Sequence, residues 1–199
     1  RKRRIIMEFE KRLETFKDEL SLILKPEIKD FTIECIRIAP DYVFEDCPSS
    51  SSGKYHPVDE CSATGTILHS KRVFSLAYEL SRALDCEGYR DEICAAALLH
   101  DLAKQGLKKS GHTTKDHPQT MAKLIADVYN NSFKERISKD AAFRIYFGIF
   151  HHYGIWTNHS VRKPLSEYKP WELCVYLSDY VASKKFVHID HLKGFTGVV

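Results

Sequence analysis

The chain has 199 residues, 43% of them hydrophobic, enough to bury one good core and too few for two large independent ones. Charged residues make up 29% and nearly cancel to a formal +3, a balance that disfavours a long nucleic-acid track, which demands a strongly basic groove. The six cysteines form no C-x-x-C pair and no apolar run reaches bilayer length, which argues against a disulfide-stapled secreted module and a membrane-spanning chain; a soluble cytoplasmic protein is expected.

The basic opening Arg1-Lys2-Arg3-Arg4 reads as a solvated terminus. Ile5, Ile6, Phe9, Leu13, Phe16 and Leu20 recur at steps of three and four, predicting an amphipathic helix from Ile5 to Leu24 that Lys25-Pro26 ends. The pattern from Ile28 to Ile38 is weaker. Pro40, Pro48, the serine run from Ser49 to Ser52 and Pro57 then predict a long loop, read as a mobile or functional flap beside the site. Helices follow at about Gly65 to Leu84, from Asp91 as N-cap to about Lys104 with Gly106 closing it, and from Thr114 to about Tyr129. Two more cover Ile137 to about Tyr153 and Pro170 to Phe186. With no convincing alternating strand the class is all-α, divided into residues 1–60 as an N-terminal helix and loop packing on the core, residues 61–186 as the core, and residues 187–199 as a tail.

The strongest local signal is the His100-Asp101 pair, which interrupts the apolar run Ala95-Ala96-Ala97-Leu98-Leu99. Burying both without partners is expensive, and a divalent metal removes that expense. Alone, the pair is equally well read as a satisfied core contact. His69 and Asp179 also sit beside apolar residues at helical spacing, and with His100 and Asp101 they make a set of two imidazoles and two carboxylates suited to Mn, Fe, Co, Ni or Zn. His117, before Pro118, and the pair His151-His152 add imidazoles for a second ion, with Asp101 bridging. His112, His159, His188 and His191 lie in polar loops or the tail and are read as ordinary side chains.

The ordered set His69, His100-Asp101, Asp179 resembles the signature of the HD-domain metal-dependent phosphohydrolases over about Tyr55 to Lys185. HDLAK at 100–104 and SDYVAS at 178–183 resemble the family's central and closing motifs, and His117, His151 and His152 match the extra histidines of its two-metal members. TGTILHS at 64–70 and HHYG at 151–154 are similar to the HD domains of 3′-to-5′ exoribonucleases, with Thr64 and Ser70 departing from that pattern. The resemblance implies an HD-domain helical bundle holding one or two divalent ions, Mn first, with Fe, Co, Ni, Zn or Mg as alternatives.

It also implies that metal-activated water cleaves a phosphoester of a nucleotide or short oligonucleotide. Asp101 would bridge the ions and orient the water, and Lys104, one turn beyond His100, would bind a phosphate oxygen. Tyr55 and His56, just before the first ligand, are candidate substrate contacts; Tyr153 and Trp156 are candidates for stacking on a base. Asp59 and Glu60 are read as helix-capping residues. Two alternatives stand beside this reading, a 3′-to-5′ exonuclease on single-stranded RNA or DNA and a non-catalytic HD module that binds a ligand. Oligomeric state does not follow from the sequence.

Overall fold

In the computed structural model, which describes residues 2–50 and 53–189 with side chains from residue 9 onward, helix is the only regular structure and no strand occurs among the described residues. The side chains of Arg1 to Arg4, Ile5 and Ile6, the residues Ser51 and Ser52, His191 and the tail beyond residue 189 lie outside that description. The expected first helix is two, α1 (Lys2–Thr15) and α2 (Lys17–Leu22), parted at Phe16, whose ring is fully buried. Pro26 does not end a helix; it begins α3 (Pro26–Ile38), at a position where its missing N–H would have had no intrahelical partner. Ile28, Phe31, Thr32, Cys35 and Ile36 form the buried stripe of α3.

A four-residue helix, α4 (Tyr42–Glu45), leads into the loop expected as a flap. That loop is stitched down. Cys47 N donates to Ala63 O (2.7 Å), Thr66 N donates to Cys47 O (2.9 Å) and Ser49 N donates to Glu60 O (2.8 Å), so both of its ends meet at the start of α5 (Gly65–Ala83). Gly65 is required there, because a Cβ would stand 1.8 Å from the Glu60 carbonyl oxygen.

The centre of the bundle is α6 (Arg90–Leu99), buried from Asp91 to Leu99 and packed against α3, α5, α8 (Lys139–His151) and α9 (Pro170–Ala182). Its alanines let neighbours come close: a Cβ at Gly148 of α8 would lie 3.0 Å from Ala96 Cβ. Full burial of each large side chain such as Phe31, Phe74 or Leu98 contributes about 1.5–3 kcal/mol. Between α6 and α8 runs α7 (His117–Val128), which widens into a π-turn at Tyr129–Phe133. The expected N-cap of α6 is corrected: Asp91 Oδ2 instead accepts from Leu24 N (3.0 Å) and Lys25 N (2.6 Å), tying the α2–α3 junction to the core.

The expected run of this helix to Lys104 is also corrected. After Leu99 the backbone tightens into turns, with Leu102 N on Leu99 O, Lys104 N on Asp101 O and Gly106 N on Ala103 O. The Tyr42 hydroxyl takes over the freed groups, accepting from Gln105 N (2.9 Å) and donating to Gly106 O (2.8 Å). All six cysteines are free. Among the described residues, no helix is long and apolar enough to cross a membrane.

Candidate metal centre

Five elements deliver the side chains that the sequence singles out. His69 comes from the second turn of α5, His100 and Asp101 from the turns that follow α6, His117 from the first residue of α7, His152 from just beyond α8, and Asp179 from the last turn of α9. The four imidazoles and Asp101 are buried, and Asp179, 18% exposed at its side chain, is the one member open to solvent.

The tautomers follow from the outer nitrogens. Nδ1 of His100 lies 2.7 Å from Ala97 O, that of His117 2.6 Å from Thr114 O, and that of His152 2.6 Å from Ile149 O. His69 Nδ1 lies 3.1 Å from Glu60 Oε2. Each of these partners can only accept, so every Nδ1 carries a proton and every neutral ring turns the lone pair of Nε2 inward. There the lone pairs meet further acceptors. His69 Nε2 is 2.9 Å from Asp179 Oδ1, and His117 Nε2 is 3.1 Å from both His152 Nε2 and Asp101 Oδ1. His100 Nε2 stands 3.4 Å from Asp101 Oδ2 and 3.7 Å from Asp179 Oδ1, and both it and Asp101 Oδ1 are buried without a hydrogen-bond partner.

Acceptors facing acceptors at these distances require positive charge between them, as protons or as cations. Burial alone would lower the pKa of His69, but its contacts with Asp179 and Glu60 outweigh burial and raise it to about 9. His152, by contrast, is pulled down to about 3 by burial and by the charge of His100, and so stays a neutral donor. Burial would raise Asp101, yet Lys104, His100 and His117 hold it well below the usual carboxylate range; Asp179 is likewise held low by His69 and His100. His69, His100 and Asp179, and separately His100, Asp101 and His152, bring ligand atoms within 4.8 Å of one another. The donor set therefore fits first-row divalent ions.

Two expected members behave differently. His151 does not join the cluster: its Nδ1 is 2.5 Å from Glu172 Oε1 and its carbonyl accepts from the Tyr168 hydroxyl (2.8 Å), because the last turn of α8 rotates it toward α9 while His152 faces the centre. Lys104 is buried, and its ammonium pairs with Asp101 Oδ2, so its charge is spent on that carboxylate. Of the expected substrate contacts, His56 sits with its ring 5.0 Å from that of His69, and Tyr153 presents its ring to His117 at 4.7 Å. Tyr55 and Trp156 are mostly exposed, and Tyr55 O accepts from Lys185 N (2.7 Å), tying the loop to the end of α9. His112 pairs with Ser110 O and His159 with Arg162, away from the cluster.

Sequence reasoning missed the place of Glu60, which is fully buried between His56, His69 and Arg72; its spacing from His69 follows no helical rule that could have flagged it.

The chain matches the HD domain family over residues 66–183, more than half of its length, and it belongs to the HD-domain superfamily of metal-dependent phosphohydrolases. Comparison with curated proteins and with solved structures gave no match.

Proposed function

We propose that this protein hydrolyses a phosphoester of a nucleotide or short oligonucleotide, using divalent ions, Mn foremost. The observation that carries the reading is the convergence of four Nδ1-anchored imidazoles on Asp101 and Asp179. His69, His100, Asp101 and Asp179 would hold one ion, and His117, His152 and Asp101 a second. Bound there, such ions lower the pKa of water and neutralise charge on phosphoryl oxygens.

The chain's own residues do the rest. Lys104 keeps Asp101 ionised and fixed between the two halves of the site. Because Asp179 is the exposed member, substrate arrives along the face of α9 that carries it. At the end of α9 and in the loop bonded to it through Tyr55 O, aromatic side chains carry ammonium groups over their rings, Lys184 at 3.8 Å from the Tyr180 centroid and Lys54 at 5.1 Å from that of Tyr55. Such pairs suit a planar base with an attached phosphate. Its free thiols support, on this reading, a reducing cytoplasmic compartment as the place of action.

The test is a screen of the purified chain with Mn, Co, Ni and Mg against nucleoside mono- and triphosphates, cyclic dinucleotides and short single-stranded RNA, with products resolved by chromatography. Mn-dependent release of phosphate or of mononucleotides is expected. A metal-loaded, folded chain inert toward every one of these classes overturns the reading.

A further inference from the structure

Three of the four inward-facing imidazoles are oriented by backbone carbonyls; His69 alone among them is oriented by a carboxylate. That carboxylate is Glu60, in the segment before α5 and outside the stretch that matches the HD family. Its side chain is 0% exposed, and burial of an ion there demands full pairing. Oε2 lies 3.1 Å from His69 Nδ1 and 2.8 Å from His56 Nδ1, while Oε1 accepts from the Arg72 guanidinium at 2.7 Å. Its backbone is seated as firmly, through the bond from Ser49 N and the close approach of Gly65.

We infer that Glu60 is the positioning residue for His69. By accepting the Nδ1 proton it fixes the ring with the Nε2 lone pair toward Asp179, and its charge makes that imidazole a stronger donor to an ion at this position. With the same oxygen it holds His56 at the edge of the centre. Both oxygens of Glu60 are thus engaged within the chain, Oε2 by the two imidazoles and Oε1 by the Arg72 guanidinium. The inference rests on the metal-centre reading above, and it adds a dependence that the other three imidazoles lack: the ion at His69 answers to a side chain carried by the pre-α5 loop.

The experiment is titration of the chelator-stripped full chain with Co(II), followed by its visible absorption, and with Mn(II) by calorimetry. Glu60→Ala is expected to weaken the ion at His69 by about 10–100-fold and to alter its Co(II) spectrum, leaving the ion at His117 and His152 as it was. Glu60→Gln, which retains an acceptor oxygen, is expected to recover part of the loss. Asp59→Ala loosens Arg72 without touching His69, and should leave both ions unchanged. Equal losses in Asp59→Ala and Glu60→Ala would reduce Glu60 to a packing role and overturn the inference. So would a folded Glu60→Ala with the wild-type affinity and spectrum. If Glu60→Ala does not fold, Glu60→Gln decides: weaker binding than wild type supports the inference and unchanged binding overturns it. A wild-type chain that takes up neither Co(II) nor Mn(II) defeats the metal centre itself, and this inference with it.

Discussion

His151 and His152 are adjacent, and with an advance of about 100° per helical residue their rings leave the end of α8 in different directions. His152 turns into the centre and His151 to Glu172. His152→Ala is therefore expected to lower bound metal by about one ion per chain, since it removes a ligand shared with His117 and Asp101. His151→Ala should leave metal content unchanged and instead destabilise the fold, because it strips a partner from a buried carboxylate, a loss worth roughly 3 kcal/mol. Elemental analysis and thermal unfolding of the two variants separate these outcomes. A fall in metal content in His151→Ala would contradict the assignment. The sequence shows both residues as candidates and carries no means of choosing, since the choice depends on the rotation of α8 against α9.

At the scale of elements, Glu172 joins the end of α8 to the start of α9, accepting from His151 Nδ1, from Lys163 Nζ (2.8 Å) and from the Lys169 amide (2.6 Å). Burial alone would raise its pKa, but these donors hold it below its ordinary 4.5. A carboxylate with a depressed folded pKa adds stability above its unfolded value and loses it as pH falls through the folded one. Glu172→Gln should thus be clearly less stable than wild type at pH 7, with the gap closing below about pH 4. Urea unfolding across that range checks the sign, and a gap independent of pH would contradict it. Gly65 governs the other junction. Gly65→Ala must push the Glu60 carbonyl away, and a loss of about 1–3 kcal/mol is expected by thermal unfolding, together with weaker metal uptake as Glu60 shifts from His69.

Elements were legible where apolar periodicity stood alone, as in α5, α7 and α9. They were misread where one residue has two meanings. A proline can mark a helix end or a helix start, and Pro26 starts one; Asp91, placed like an N-cap, serves a different junction altogether. The long loop looked like a flap because its backbone bonds to Ala63, Glu60 and Thr66 have no signature in side-chain pattern. Glu60 was invisible as part of the site for the same reason.

For the whole molecule, one apolar cluster runs from Phe16 and Phe31 through α6 to Ile145 and Val175, so the segments before residue 61 share the core that supports the candidate metal ligands. The ligands come from widely separated points of the chain, and only the packed bundle brings His69 and Asp179, 110 residues apart, within 2.9 Å. The order of histidines and aspartates could be read from the sequence because each interrupts an apolar helix face; their tautomers and mutual distances belong to the fold. The central claim, that this cluster holds divalent ions and makes the protein a phosphoester hydrolase, is tested most directly by Mn titration of turnover. The chelator-stripped chain should show no hydrolysis of its best nucleotide substrate, gain activity as Mn is added, and saturate near about two ions per chain, while folded Asp101→Ala stays inactive throughout. Turnover indifferent to chelator, or wild-type turnover in folded Asp101→Ala, would contradict the account.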